Sequence, residues 1–589
     1  MKKNYKIFTL SLLLIISYSC SNSFLEENPK GLYFAENSLI TEQDAKAAVD
    51  GVYHTFAGRT GGFNDEGGVY DPLIGGSNQS ENSWATRTWT FSSSDGRIKA
   101  IWEKLYQAIN MANWAIKGIA EMPENIPFKS YTGADGQGYN YRDRFIAEAR
   151  FQRALGYFYM VNFWGPIPMP IQPYIDANQN FFQNRASTDT IYRQIIADLE
   201  HAAAVLPLKS NYSTGDKHRA SSGSAKAILS KVYLFMGDYQ KYFPEGHALN
   251  PAIISADEAY DKAMQYAEEV IQSREYALYD DFRKTTSCFP EYEYGSEHVF
   301  AFPHDELALN NYDQWGARNM PQDNPVNCTL PGWRGNKNMN RICIRTMPCD
   351  YRRWATIIYS VRSRGFYGSR FWDQRHITNQ NATGNDGYVI RFAEVYLIYA
   401  DAANERNNGP TNKAAEYLSI VRKRATTFFG NEATAQPFTH DVEWEGFGSK
   451  FVPTGTLYFD ESTDSPGGTH QPLVVDYTLV DLAEGVPMQT GGTRSRRATV
   501  DYTNLYLIQP EDLVAMTYTD FGENVYKERD WELFWEGTRL FDLRRKRRME
   551  ELPDYGRVSN GVIQPKHYLL PIPMSEILVN PNIQQNPGW

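Results

Sequence analysis

The 589-residue chain has little of the chemistry that marks a catalytic or metal-binding protein. It has five cysteines (Cys20, Cys288, Cys328, Cys343 and Cys349) and no C-x-x-C pair, so neither a zinc site nor a dithiol redox centre is indicated. The last four are open between buried thiols and disulfides, which an exported protein permits; Cys343 and Cys349 are near enough in sequence to pair. H-E-x-x-H, G-x-S-x-G and P-loop motifs are absent, and ten histidines show no ligand spacing. Carboxylates are abundant, but none stands out as a glycosidase acid and base pair. Positive charge is in deficit: 59 basic against 70 acidic residues give −11, the wrong sign for a phosphate backbone as main partner. Past the N-terminus no run reaches 18 apolar residues, so no spanning helix is expected.

Aromatics are in excess instead: Tyr 39, Phe 31 and Trp 13 make 14% of the chain. Such rings build cores, stack on ligands and anchor interfaces. At the N-terminus, Lys2, Lys3 and Lys6 precede an apolar run from Ile7 to Ile16. That run is about ten residues, half of the roughly 20 a bilayer requires, and fits a signal peptide. Ser17-Tyr18-Ser19 then lead to Cys20, a small-residue pattern loosened by Tyr18. The expectation is a lipoprotein signal over 1–19, acylation of Cys20, and a polar tether over 20–40. A plain secretory signal with an incidental cysteine is the alternative.

Hydrophobic periodicity predicts helices over 41–57, 97–120, 142–163 and 189–206, the last capped by Asp189 and followed by Pro207. Ala45, Ala48, Val49, Val52 and Phe56 share a face of the first. Ile98, Ile101, Leu105, Ile109 and Ala112 do so on the second. Two pairs of segments have the small-knob, large-plug texture of TPR-type hairpins without a strict 34-residue period. They are "SAKAILSKVYLFMGDYQKY" with "ADEAYDKAMQYAEEVIQS", joined by a Gly-Asp turn at Gly237-Asp238, and "RFAEVYLIYADAANERN" with "TNKAAEYLSIVRKRATTF". Stretches 283–390 and 428–510 break the pattern with Gly-, Asn-, Thr- and Pro-rich sequence and strand-like pieces such as "PLVVDYTLV". They read as loop-rich decoration on a scaffold at about 41–280 and 389–427, with 511–589 as a C-terminal segment.

Several motifs then point one way: "AEARFQRALGYFYMVNFWGPIPMP", "IYRQIIADLEHAAAVLP", "RASSGSAKAILSKVYLFMGDY", "IRFAEVYLIYADAANE", "SIVRKRA", "ERDWELFWEGTRLFDLRR" and "LLPIPMSEILVNPNIQQNPGW". In this order, and after a lipoprotein-like start, they closely resemble the SusD/RagB family of outer-membrane lipoproteins. The resemblance covers Cys20 to Trp589, the two loop-rich stretches being its variable parts. It implies a mostly α-helical fold, a single domain over 41–589 with about four TPR-like units, and loop-rich insertions containing short β-strands. It implies a surface-exposed, lipid-anchored protein on the outer membrane of a Bacteroidota-type cell, acting as the lid of a SusC-like TonB-dependent transporter. The task implied is capture of glycan for uptake. Capture of peptide, as in RagA/RagB-type systems, is the alternative, and a glycan-cleaving enzyme a third with no positive motif. No cofactor is expected, and a structural Ca2+ is left open.

Glycan recognition needs flat aromatic faces and polar groups for hydroxyls. Two loop clusters carry both: Asn82, Trp84, Arg87 and Trp89 in "NQSENSWATRTW", and Tyr312, Trp315, Trp333 and Arg334 in "NNYDQWGARNM" and "LPGWRGNKN". Such rings also pin loops down without touching ligand. Tyr157, Phe158, Tyr159, Trp531, Phe534 and Trp535 recur at helical spacing and are assigned to the core or an interface. Pro166, Pro168 and Pro170 end a helix and stiffen its exit. The run Arg544-Arg545-Lys546-Arg547-Arg548 is assigned to structure: cations suit a helix C-terminus, and Glu550 and Glu551 lie beside it.

Overall fold

A computed structural model of the protein describes residues 39–57, 89–174, 180–280, 282–286, 294–303, 386–427, 509–534, 536–551 and 562–589, with Arg352 and several short strands. Cys20, the signal and tether segments and Trp535 lie outside the described residues. The described chain is mostly helical. In order, the α-helices are α1 (Glu42–Ala57), α2 (Gly96–Ala120), α3 (Tyr141–Trp164), α4 (Thr188–Val205), α5 (Ser222–Tyr242) and α6 (Ala256–Gln272). Then come α7 (Phe392–Asn407), α8 (Asn412–Thr427), α9 (Pro510–Val514), α10 (Tyr518–Glu532), α11 (Arg539–Arg545) and α12 (Met574–Val579). From α1 to α8 each helix packs on its predecessor in chain order, and α10 returns to pack on α7. Among the described residues no helix is long and apolar enough to cross a membrane.

Polar caps place the helix starts. Asp95 accepts from the Arg97 and Ile98 amides at α2, and Asn140 forms a capping box with Asp143 at α3. At α4 the cap is Ser187 and not Asp189: the Ser187 hydroxyl accepts from the Thr190 amide. Asp189 lies in the first turn, where its carboxylate accepts from the Ala252 amide at 2.7 Å. The expected Gly-Asp turn is also corrected. Gly237 and Asp238 lie inside α5. Gly237 is there because a Cβ would sit 2.6 Å from the Tyr260 ring of α6, so its smallness serves helix packing and not a turn.

Helix α3 is buried along almost its whole length. Tyr157, Phe158 and Tyr159 are core, as are Trp531 and Phe534 farther on. Its buried charges survive by pairing: Arg153 meets Asp198 of α4 through two bonds of 2.8 Å, and Arg144 meets Glu148 at 2.9 Å. After α3, Gly165 takes a left-handed φ of 68° and the Pro-rich exit follows. The Pro168 carbonyl accepts from the Tyr106 hydroxyl, and the Pro170 carbonyl from Asn113 and the Tyr157 hydroxyl.

The first part of the basic run is interior, while Arg547 is exposed and Arg548 partly so. Arg544 and Arg545 are fully buried. Arg545 pairs with Asp401 at 2.7 Å, Asp542 at 2.8 Å and also Asp238, while Lys546 reaches Glu405 at 2.6 Å and Asp401 at 2.9 Å. Arg548 pairs with Glu551 and Glu523. The acids of α5 and α7 hold Arg545 and Lys546, a stronger cause than a helix dipole. Burial pushes the Asp238 carboxyl up to about 6, against the pull of Lys546 and Arg545. Burial also acts on Glu405, but Lys546 overrides it and holds that carboxyl at about 2.

Short strands decorate this scaffold. β1 (Ser77–Asn78) pairs with β5 (Asn338–Met339), β2 (Ser130–Thr132) with β3 (Gly138–Asn140), β4 (His298–Phe302) with β8 (Gly387–Arg391), and β6 (Ile357–Ser360) with β7 (Gly365–Gly368). Two further pairs lie in the second insertion: β9 (Tyr458–Phe459) with β12 (Ala498–Thr499), and β10 (Leu479–Asp481) with β11 (Val486–Met488).

Candidate functional site

Both aromatic-rich loop segments spring from one end of the scaffold. The first leaves α1 at Ala57 and the second leaves β4 after Phe302, and those two exits are in contact. Phe56 stacks on Phe302 with centroids 5.2 Å apart and an interplanar angle of 12°. Alternation along β4 points Phe300 and Phe302 to one side. There Tyr53 of α1 lies 6.3 Å and 6.5 Å from them, and Phe151 of α3 lies 4.8 Å from Phe300. The segments meet again through backbone: Ser77 faces Met339 and Asn78 faces Asn338 across the antiparallel β1–β5 pair. Sequence spacing alone placed the two clusters more than 200 residues apart.

A polar floor adjoins this aromatic wedge. The His218 ring meets Tyr53 edge-on at 6.0 Å and Tyr294 at 5.8 Å, and the Tyr294 hydroxyl donates to Asp386 at 2.9 Å. Tyr294 adopts a left-handed φ of 52°, unusual for a bulky residue. The Tyr53 hydroxyl accepts from the Ala220 amide and donates to Glu148. Arg219 bridges Glu148 at 2.8 Å and Asp216 at 3.0 Å and also pairs with Asp50. Burial, reinforced by Arg219, lowers the His218 imidazole below its ordinary value, so it is neutral at pH 7. Burial raises the Tyr53 phenol well above the usual range. Tyr53 and His218 are thus neutral and the charges paired; His218 and Tyr294 are partly exposed, while Tyr53, Glu148, Arg219 and Asp386 are buried. Among the described residues no group of three or more His, Cys, Asp or Glu side chains is arranged to hold a metal ion.

Of the sequence candidates, only Trp89 falls within the described residues, and its assignment as a ligand contact is corrected. Trp89 is 1% exposed. Its ring packs on Phe91 at 5.4 Å and edge-on to His567 at 5.6 Å, and Phe91 in turn stacks on Trp589 at 5.2 Å. With a left-handed φ of 56°, Trp89 pins the exit of the first loop to the C-terminal segment. Asn82, Trp84, Arg87, Tyr312, Trp315, Trp333 and Arg334 lie outside the described residues. Tyr53, His218, Tyr294 and Asp386 were not picked out from sequence. Nothing local marks them, because they meet only once α1, the 216–220 turn and the β4–β8 pair are assembled.

Known proteins share both sequence and shape with this chain. A family model described as "Starch-binding associating with outer membrane" matches residues 46–234, and one described as "SusD family" matches residues 350–442 and 496–589. SusD-like protein P2 of Formosa agariphila is 26% identical over 464 residues, covering 72% of this chain and 82% of that protein. SusD-like protein P25 of the same organism is 23% identical over 98% of this chain and 97% of its own length. Among solved structures, a SusD homolog from Bacteroides thetaiotaomicron superposes with a TM-score of 0.65 at 19% identity, covering 94% of this chain and 98% of that one. A laminarin-binding SusD-like protein does so with a TM-score of 0.60 at 20% identity, covering 93% and 100%. Surface glycan-binding protein A from Bacteroides fluxus gives 0.63 at 17% identity, covering 93% and 100%. The two family models between them take in most of the helical scaffold and the C-terminal segment, and the chain belongs to the SusD/RagB family.

Proposed function

We propose that the protein is a cell-surface glycan-binding lipoprotein, anchored through Cys20, that captures polysaccharide or oligosaccharide and hands it to a SusC-like TonB-dependent barrel. The observation carrying this reading is the convergence of the two aromatic-rich segments: their roots stack through Phe56 and Phe302, and their strands pair at β1–β5. Flat rings suit the C–H faces of sugars, and the neutral, hydrogen-bonding floor at His218 and Tyr294 suits their hydroxyls. Relatives named for glycan and laminarin binding support the ligand class. In this reading the protein binds and releases without chemistry.

Affinity electrophoresis and titration calorimetry of the full chain against a polysaccharide panel that includes starch and laminarin test it. Retardation or heat with at least one glycan is expected. Binding of peptides with no glycan bound would sink the reading, and new reducing ends in the incubated polysaccharide would replace it with catalysis. Co-purification with a TonB-dependent barrel from outer membranes tests the delivery step.

A further inference from the structure

Behind the polar floor a lysine is buried without a carboxylate. Lys209, in the short 3-10 turn Lys209–Asn211 that follows α4, is 8% exposed. Among the described residues its ammonium forms no ion pair. Its Nζ donates instead to the Gly295 carbonyl at 2.8 Å and to the His298 carbonyl, and stands 5.4 Å from the centroid of the Tyr276 ring. Burial, with Lys217 adding to it, pushes the amine down to about 7, against the pull of Glu275. An uncharged amine keeps two N–H groups, one for each carbonyl, so the contact does not depend on the charge.

Both ends of this contact lead to the floor. Gly295 directly follows Tyr294, which holds its left-handed φ of 52° with its ring 5.8 Å from His218. The carbonyls between the two that Lys209 grips are taken as well: Ser296 accepts from the Ala277 amide at 3.0 Å and Glu297 from the Phe392 amide at 2.9 Å. Lys209 thus supplies donors at both ends of the stretch that leads Tyr294 into β4. On its own side, Lys209 opens the 209–220 connector that carries His218, a connector closed by the Tyr212 hydroxyl donating to the Ala220 carbonyl at 2.6 Å. Ser210 ties the same connector to the Glu275 carboxylate through its amide at 2.8 Å and its hydroxyl at 3.0 Å. That second tie ends at Glu275, whereas Lys209 reaches the residue beside Tyr294. The Tyr294 hydroxyl is held separately, at its tip, by Asp386. A bulky residue in the left-handed region is costly and keeps that shape only where its neighbours enforce it.

We propose that Lys209 is a positioning residue for the polar floor: it grips the Gly295 and His298 carbonyls and so holds the backbone of Tyr294 against the His218 connector. The consequence for ligand affinity rests on the glycan-binding reading above; the grip itself does not.

Lys209→Met in the full chain keeps an unbranched side chain of similar length and removes the donors. Hydrogen exchange read by mass spectrometry should show peptides covering 294–298 exchanging about tenfold faster or more, with α3 and α5 peptides at wild-type protection. NMR of ring-labelled histidine, with His218→Gln to assign the signal, should show the His218 pKa moving up toward 6.5, because burial is the main cause holding it down and the Tyr294 ring lies against it. Calorimetric affinity for any glycan that the wild type binds should fall about fivefold or more, as a less ordered site binds more weakly. Wild-type exchange at 294–298 or a wild-type His218 titration would overturn the proposal. So would faster exchange spread over α3 and α5, which would make Lys209 a support of the whole fold. Both local changes with no glycan bound by either protein would overturn the ligand reading and leave the grip intact. The same changes with unchanged affinity would overturn the floor's place in the binding site.

Discussion

Phe56 and Phe302 lie ring on ring, 5.2 Å apart, though 246 positions separate them in the chain (302 − 56). One is the penultimate residue of α1 and the other the last of β4, and each is followed by one of the loop segments carrying the sequence's glycan-contact candidates. Both are core residues, 2% and 1% exposed. Removing either ring opens a cavity where the two segments are rooted. Phe302→Ala is expected to cost about 3–5 kcal/mol of stability, read from the denaturant midpoint, and to weaken glycan binding as well. A loss of stability with unchanged affinity would show that the roots do not set the loops.

The burial of Trp89 separates two tryptophans that look alike in sequence. Trp89→Ala should destabilise the fold by about 3–5 kcal/mol, the range for emptying a large core side chain. Trp84→Ala and Trp315→Ala should leave the melting temperature in place and weaken ligand binding by about 1–3 kcal/mol, as expected of a stacked anchor. Calorimetry with a bound glycan, run beside thermal melts, reads both effects. Unchanged affinity in both loop variants would move the contact residues elsewhere.

Arg153 and Asp198, both buried, join α3 to α4 through two parallel bonds. Asp198→Ala strands the guanidinium, which among the described residues keeps Asn113 and the Ile171 carbonyl. A loss of about 3–5 kcal/mol is expected. A change below about 1 kcal/mol in a urea melt would mean that water reaches Arg153.

Gln152, beside Arg153 on α3, is fully buried, and neither amide atom has a hydrogen-bond partner among the described residues. An unsatisfied buried amide costs about 1–3 kcal/mol, so Gln152→Met, similar in shape and apolar, should stabilise the protein by about that amount. A lower melting temperature in this variant would reveal a bound water or a polar partner for that amide.

Acid should loosen the fold through two histidines. Burial pushes His298 down to about 3, and burial together with Lys566 pushes His567 down to about 4, each from an ordinary 6.5. The His298 Nε2–H donates to the Thr285 carbonyl at 2.8 Å, and its Nδ1 has no partner among the described residues. Below 6.5 the unfolded chain takes up protons that the native state refuses. The stability these groups lend is thus complete above about pH 6.5. It drains as pH falls toward 4 for His567 and 3 for His298, by up to about 1.4 kcal/mol per pH unit for each fully buried group. Melting temperature measured from pH 7 to pH 4.5 should fall, and His298→Gln should flatten part of the slope. An equal slope in that variant would assign the acid sensitivity to carboxylates.

The positions of helices α1 to α8 were legible in the sequence to within a residue or two, while α9 to α12 were read only as a C-terminal segment. The 142–163 expectation became Tyr141–Trp164, and 97–120 became Gly96–Ala120. Apolar period and polar caps are local signals, and these helices obey them. The misassignments came where a local signal had a distant cause. Gly237-Asp238 has turn chemistry, yet the glycine makes room for Tyr260, and Asp238 is claimed by Arg545. Asp189 has cap chemistry, but Ser187 sits at the boundary. Trp89 has the loop context of a ligand ring, but His567 and Phe91 enclose it.

The sequence by itself determined the helical class, the order of the helices, the family and the aromatic supply, because period, composition and motif order are properties of neighbouring residues. Tertiary structure alone decided which rings face inward and that Arg544 and Arg545 of the basic run are interior. It also decided that two loops over 200 residues apart spring from one place. These outcomes depend on stacking and desolvated ion pairs between remote segments, whose energy exists only once the partners have been brought out of water together.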